Sequence, residues 1–132
     1  EVVAVIDGDT IQVDREGGIE KVRMLGIDTP ELANAEHGNE CFAQAAADVA
    51  RGLLAGQRVR LVSDPTQEDR GIYGRLLRYV YLEDGSDFQE YMLTNGYARE
   101  FTYRVPYEHQ AEHQAWQAAA RQARRGLWAA CR

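Results

Sequence analysis

The sequence predicts an α+β fold in which five short strands form a closed or nearly closed barrel with three helices around it. Short runs rich in β-branched and aromatic residues, bounded by glycine turns, fill the first half of the chain and return between the helices. Longer alanine- and glutamine-rich stretches carry helix start and stop signals. The 132 residues contain no internal repeat and no linker-like stretch, so a single domain, 1–132, is expected.

The five predicted strands are short and end at turn residues. Residues 2–6, 10–13 and 21–27 come first, with Asp-Gly and Gly-Gly turns between them. Residues 58–62 alternate charged and apolar side chains, which is typical of a half-exposed strand. Residues 76–82 are rich in tyrosine, leucine and valine and predict the fifth strand.

Two helices are predicted, one between these strands and one directly after the fifth. Asn39 can cap a first, alanine-rich helix that covers about residues 40–54. Ser86 and Gln89 form a capping box, which predicts a second helix that ends near residue 96.

A third helix is predicted at the C-terminal end of the chain. Pro106 marks its entry and Gly126 its stop. Arg121, Arg124 and Arg125 lie in its last turns, where positive charge favours the negative end of the helix dipole. We interpret these arginines as a solvated face rather than as a DNA-binding patch.

The composition is acidic, with a formal net charge of −6. Nucleic-acid-binding proteins usually carry a basic surface, so composition alone argues against that function. However, Asp7, Asp9, Asp28 and Glu31 fall into one predicted site, and Lys21 is the only lysine beside many arginines. Arginine binds phosphate through two parallel hydrogen bonds. No apolar run approaches the ~20 residues that cross a bilayer, so no membrane partner is expected.

The two cysteines, Cys41 and Cys131, lie far apart and have no zinc-ligand or redox-motif spacing. They could form a disulfide that ties the C-terminus to the body, which would imply an oxidising compartment. We predict this disulfide because the two cysteines have no other evident role; the alternative is two free thiols. The spacing leaves both possibilities open.

Two acidic segments at predicted strand ends can carry chemistry. Residues 6–10 read I-D-G-D-T and residues 27–31 read I-D-T-P-E. Hard oxygen ligands of this kind suit Ca²⁺ or Mg²⁺ rather than zinc. Neither segment is specific by itself because Asp and Gly are common turn residues, and the first lacks the other positions of an EF-hand loop.

Two arginines complete the pattern. Arg23 lies five residues before Asp28, and Arg75 ends a Tyr-Gly-Arg turn that enters a strand. Two arginines and several carboxylates at strand ends are the groups needed for metal-assisted phosphoryl transfer.

Taken together, the sequence resembles the staphylococcal nuclease (thermonuclease) family. The shared features are D-G-D-T, R-x-x-x-x-D-T-P-E, Y-G-R and a C-terminal G-L-W, and they extend over nearly the whole chain. The resemblance implies an OB-type barrel with three helices and a calcium-dependent phosphodiesterase that hydrolyses DNA and RNA. It further implies water attack at phosphorus with loss of the 5′-oxygen, which leaves 3′-phosphate products.

The resemblance also implies roles for the acidic residues. Asp9, Asp28 and the backbone carbonyl of Thr29 match the ligands of one Ca²⁺ ion. Asp7 matches an acid that lies behind the ligands without binding the metal. Glu31 matches the carboxylate that orients or deprotonates the attacking water.

The remaining matched residues concern the substrate. Arg23 and Arg75 match the arginines that bind the reacting phosphate, and Tyr73 and Tyr103 match tyrosines around the nucleotide. Single-stranded or frayed nucleic acid is the expected substrate form, because bases stack on exposed aromatic rings only outside the duplex. A monomer in a secreted or periplasmic location is expected.

The chain departs from the family's pattern in its basic residues. The stretch 32–38 contains His37 but no lysine, and Ile72 stands before the Tyr-Gly-Arg motif where a lysine can occur. Weaker substrate binding with intact chemistry is therefore expected.

Two other functions are compatible with parts of the sequence. Residues 109–113 read H-Q-A-E-H and fit a zinc-peptidase signature, but no acidic ligand follows Glu112, so His109 and His113 are expected to be packing residues. The domain could also be an inactive nucleic-acid- or protein-binding module. The presence of both arginines, both metal aspartates and Glu31 argues against that alternative.

Overall fold

The computed structural model describes residues 1–131, and its elements confirm the α+β class. Along the chain they are β1 (Val2–Asp7), β2 (Thr10–Arg15), β3 (Gly18–Met24), β4 (Ile27–Asp28), α1 (Ala43–Leu54), β5 (Val59–Val62), β6 (Leu76–Leu82), α2 (Phe88–Thr94), β7 (Arg99–Glu100), α3 (Gln110–Gln122) and α4 (Leu127–Ala130). All five predicted strand regions and all three predicted helices are present, with changes in their bounds.

Five strands form one sheet in the order β1-β2-β3-β6-β5, and β4 pairs with β7 in a separate ladder. β3 and β6 run parallel, whereas the other neighbours are antiparallel. Within residues 1–131, β1 and β5 share no ladder. Val2 nevertheless donates to the Gln57 carbonyl at 2.9 Å and accepts from the Gly56 amide at 3.0 Å. The sheet is therefore that of an OB-type fold, but it is not closed by a continuous hydrogen-bonded ladder.

The predicted strand 21–27 is interrupted at Gly26. This glycine has φ +77°, and a Cβ there would lie 2.5 Å from atoms of Tyr107 and His113. The chain consequently turns between β3 and β4, and the Gly26 carbonyl accepts from the Phe101 amide at 2.9 Å. The break directs β4 toward β7 and carries Asp28 to the acidic cluster.

The first helix begins at Ala43 rather than near residue 40, and the predicted cap at Asn39 is wrong. The Asn39 side chain instead accepts from the Ala33 amide at 2.6 Å and closes the preceding loop. Phe42 occupies the N-cap with φ +72° and no side-chain cap bond. A loop hydrogen bond therefore replaces the helix cap.

The second helix has a different cap from the predicted capping box. Asp87 is the N-cap and accepts from the Glu90 amide at 3.0 Å. Ser86 donates to Asp84 at 2.6 Å within the preceding turn. Gln89 is fully buried and accepts from the backbone of β6, so it is part of the core.

The third helix is shorter than predicted and is followed by a single-turn helix, α4. Arg124 has φ +54°, so Arg124 and Arg125 lie beyond the helix end. Gly126 packs directly on the backbone of Gly96, where a side chain has no room. The predicted stop residue is therefore a point of close backbone contact between the turn after α2 and the start of α4.

The core lies between the sheet and helices α1 and α2. Its main cluster comprises Val2, Ile11, Val13, Val22, Met24, Ile27, Ala46, Ala50, Leu54, Leu76, Val80, Phe88, Met92, Leu93 and Ala98. Alternate residues of a strand face one side, and residues four apart on a helix share a face, which places these side chains together. Each fully buried large aliphatic side chain contributes about 1.5–3 kcal/mol.

A disulfide joins Cys41 to Cys131, with Cα atoms 5.8 Å apart. It connects the residues just before α1 to the chain just after α4. Of the two possibilities left open by the sequence, the structure contains the disulfide. Across residues 1–131, no helix is both long and apolar enough to span a bilayer.

Candidate active site

The two acidic segments contact each other through Gly8 and Thr29. A Cβ at Gly8 would lie 2.9 Å from the Thr29 methyl group, so glycine permits this close approach. The Thr29 amide donates to the Asp9 carboxylate at 2.9 Å, and the Asp9 carbonyl accepts from the Met24 amide at 2.9 Å. These contacts hold the β1–β2 turn against the end of β4.

Asp9 is a buried carboxylate with fixed partners. Its Oδ1 accepts from the Thr10 hydroxyl at 2.9 Å, and its Oδ2 accepts from the Thr29 amide. Asp28 lies at the end of β4 and is exposed on its outer side. The structure thus brings the two predicted metal aspartates to the same end of the barrel.

Arg23 lies between these two carboxylates. Its Nη2 is 3.5 Å from Asp9 and 3.6 Å from Asp28, and its Nη1 donates to the carbonyls of Met24 and Ile27 at 2.8 and 2.7 Å. The ring of Phe101 lies 5.9 Å from the guanidinium carbon. Arg23 is therefore anchored through Nη1, while Nη2 makes two long ionic contacts.

The negative charge of the cluster exceeds the charge of Arg23. Partial burial and, to a smaller extent, repulsion from Asp9 raise the pKa of Asp28, even though Arg23 opposes the shift. Burial and repulsion from Asp9 likewise raise the pKa of Asp7, and Glu31 adds to both effects. Carboxylates that repel one another this way favour the binding of a cation.

The donor set fits a hard divalent cation. Asp9 and Asp28 supply carboxylate oxygens, and the hydroxyl of Thr29 is buried beside them without a hydrogen-bond partner. No group of three or more His, Cys, Asp or Glu side chains in the described chain could hold a metal ion. A cation here would complete its shell with backbone, water or substrate oxygens, as Ca²⁺ and Mg²⁺ commonly do.

Glu31 stands at the mouth of the cluster on a closed loop, residues 31–40. Its side chain is 61% exposed. Its amide donates to the Glu40 carboxylate at 2.7 Å, and its carbonyl accepts from the Glu40 amide at 2.9 Å. The Nε2 of His37 lies 3.3 Å from the Glu31 carboxylate. Glu31 therefore faces solvent beside the carboxylates, where a general base could reach a bound substrate.

Arg75, Tyr73 and Tyr103 are the predicted substrate-binding residues outside the network around Arg23. Tyr73 is 80% exposed at the tip of a turn, with the Arg75 guanidinium 6.0 Å from its ring centre. Tyr103 is also exposed and packs against Arg104. In the part of the chain described, no hydrogen bond or ion pair joins these side chains to the carboxylates, so their substrate roles stay predictions.

The two histidines of the H-Q-A-E-H motif pack against aromatic rings. His109 stacks on Tyr79 with ring centres 4.0 Å apart. His113 is fully buried, and its Nδ1 lies 3.1 Å from the Tyr107 hydroxyl. The expectation that they are packing residues is confirmed.

Three contacts of the site have no signal in the sequence. His37 and Glu40 contact Glu31, and Phe101 contacts Arg23. Neither contact of Glu31 has a local sequence signal because the partners are six and nine residues away. Phe101 follows β7 in the chain, and only the tertiary fold places its ring beside Arg23.

Comparison with known proteins identifies relatives of this chain. Residues 21–130 match the family described as Staphylococcal nuclease homologue. The chain is 38% identical over 128 residues to the thermonuclease of Staphylococcus hyicus, covering 96% of this chain and 73% of that protein. It is 43% identical over 83 residues to the thermonuclease of Staphylococcus intermedius, covering 63% of this chain but only 48% of that protein. The chain is also 33% identical over 127 residues to an uncharacterized endonuclease of Escherichia coli O157:H7, covering 96% of this chain and 74% of that protein.

Proposed function

Because the chain belongs to the staphylococcal nuclease homologue family, we propose that it is a calcium-dependent phosphodiesterase that hydrolyses DNA and RNA. The relatives named as nucleases support the general activity. The observation that carries the finer proposal is the pair Asp9 and Asp28 on either side of Arg23, with Glu31 exposed beside them. This arrangement combines hard oxygen donors, a guanidinium that can bind phosphate, and a carboxylate base.

Asp9, Asp28 and the carbonyl of Thr29 would hold the ion. A bound Ca²⁺ would supply positive charge to a phosphate oxygen as negative charge builds on it. Asp9 is fixed by Thr10 and Thr29, so it offers its oxygens without reorganisation. Ca²⁺ is proposed over Mg²⁺ because its flexible oxygen shell adapts to the changing geometry of the reaction, whereas the strict octahedral shell of Mg²⁺ adapts poorly.

Glu31 is proposed to act as the general base. It takes a proton from water as the water oxygen bonds to phosphorus, and the bond from phosphorus to the 5′-oxygen breaks. The leaving oxygen takes a proton from solvent, which gives a 5′-hydroxyl and a 3′-phosphate. General bases of this kind contribute about 10²–10⁴ in rate.

Arg23 and Arg75 are proposed to bind the reacting phosphate. The two Nη2 contacts of Arg23 are longer than hydrogen bonds, so this nitrogen can turn to a phosphate oxygen while Nη1 stays anchored. Arg75 makes no ion pair within the described residues and can contribute a second guanidinium. Such contacts strengthen as charge develops.

The exposed rings of Tyr73 and Tyr103 are proposed to stack on unpaired bases, so single-stranded or frayed nucleic acid would be preferred. The disulfide between Cys41 and Cys131 supports an oxidising location, secreted or periplasmic, for this proposed monomer.

A plasmid-nicking assay tests the proposal. Supercoiled DNA and single-stranded RNA should both be cut with Ca²⁺, and excess chelator should abolish cutting. An Asp9→Asn, Asp28→Asn variant is the matched control and should be inactive while folded. Full activity in excess chelator would overturn the metal assignment. Retained DNA binding without cleavage by the wild type under any divalent ion would favour the binding module instead.

A further inference from the structure

The loop 31–40 holds the ring of His37 in a fixed orientation. The Nδ1 of His37 lies 2.6 Å from the Gly38 carbonyl, which can only accept, so Nδ1 carries a hydrogen. The loop backbone supports this placement, because the His37 carbonyl accepts from the Asn34 amide at 2.9 Å. Nε2 is therefore the nitrogen that gains or loses a proton.

Nε2 faces two partners that suit opposite protonation states. The Asn34 side chain accepts from the amides of Glu36 and His37 at 2.7 and 3.1 Å, which orients its NH₂ group toward Nε2 at 3.1 Å. That donor suits a neutral ring. The Glu31 carboxylate lies 3.3 Å from the same nitrogen and suits a protonated ring, which can donate to it.

The charges around the ring favour its protonation. The bond to the Gly38 carbonyl, and then Glu31 and Glu40, raise the pKa of His37 above its ordinary value of 6.5. Glu31 and Glu40 are the charged groups that act on this exposed ring. The ring therefore stays protonated to a higher pH than a free histidine, and histidine is the side chain whose charge changes most readily in this range.

We propose that His37 is a positioning residue that binds Glu31 when protonated, withholding the carboxylate from the attacking water, and releases it when neutral. This rests on the proposed role of Glu31 in hydrolysis. The neutral ring keeps its hydrogen bond from Asn34, so release leaves no unpaired nitrogen. The loop that lacks the family's lysines thereby gains a proton-controlled contact with the general base.

The first test follows the imidazole Cε1–Hε1 signal of His37 by NMR across pH, and it needs no catalytic activity. The His37→Gln variant assigns the signal among the three histidines. In Glu31→Gln the pKa of His37 should fall relative to wild type. Glu36→Gln is the matched control, because Glu36 lies on the same loop and only its backbone amide bonds to Asn34. An unchanged pKa in Glu31→Gln would overturn the contact.

The second test compares kcat at about pH 5.5 and about pH 8.5 for wild type, His37→Gln and Glu36→Gln. In His37→Gln the ratio of kcat at the higher pH to kcat at the lower pH should be about fivefold smaller than in wild type. Glu36→Gln should keep the wild-type ratio. An unchanged ratio in His37→Gln would overturn the release of Glu31 even if the NMR contact is present. A wild type without nuclease activity would instead overturn the proposed function, and the NMR titration would still report on the contact.

Discussion

Substitution of Gly26 by alanine should destabilise the protein far more than the same change at Gly56. The two glycines have nearly equal φ angles, +77° and +73°. A Cβ at Gly56 meets nothing within 4 Å, whereas one at Gly26 would lie 2.5 Å from Tyr107 and His113. The pair therefore separates the cost of the backbone conformation from the cost of packing.

The left-handed conformation costs a residue with a Cβ about 1–2 kcal/mol, and both variants should lose that amount. Gly26→Ala also inserts a methyl group into a filled space, which costs about 1–3 kcal/mol more. The free energy of unfolding should thus fall by about 1–2 kcal/mol in Gly56→Ala and by about 2–5 kcal/mol in Gly26→Ala. Because Gly26 sets the break that carries Asp28 to the cluster, Gly26→Ala should also lower nuclease activity more than Gly56→Ala.

Urea unfolding followed by circular dichroism, analysed by linear extrapolation, measures both losses. Equal losses within about 0.5 kcal/mol would refute the packing argument, because the two sites share a positive φ but differ in the space for a Cβ. A Gly26→Ala protein with reduced stability but wild-type kcat would refute the link between the strand break and the position of Asp28.

Three further predictions concern catalysis, the disulfide and pH. Arg75→Lys should lower kcat by about 10²–10³-fold with little change in KM, because lysine cannot form the two-point phosphate contact that strengthens in the transition state. A near-normal kcat in a folded variant would remove Arg75 from the catalytic set. Replacing Cys41 and Cys131 by alanine removes a cross-link between residues 90 positions apart. Chain entropy predicts that the free energy of unfolding, measured in urea, falls by at most about 4–5 kcal/mol. Burial lowers the pKa of His113 from 6.5, so the unfolded state binds more protons than the folded state below that pH. The free energy of unfolding should therefore fall as the pH drops below 6.5. His113→Gln should flatten this dependence in unfolding curves collected from pH 7 to 5.

The sequence alone was sufficient to predict the element types and to propose the candidate residues. Strand propensity, turn glycines and helix stop signals act over a few residues, so they predicted five strand regions and three helices correctly. The carboxylates of D-G-D-T and D-T-P-E could be assigned to one site because each segment stands at a strand end. Their predicted convergence holds for Asp9 and Asp28, which lie on either side of Arg23.

Tertiary structure alone decided the features that depend on distant partners. Asn39 closes a loop instead of capping a helix, because the Ala33 amide competes for its side chain. Gly26 interrupts a strand of good propensity, because Tyr107 and His113 occupy the space beside it. The parallel pairing of β3 with β6, the Cys41–Cys131 bond and the contact of His37 with Glu31 likewise join groups that only folding brings together. Local preferences are worth tenths of a kcal/mol to about 1 kcal/mol, so a buried contact or a long-range hydrogen bond overrides them.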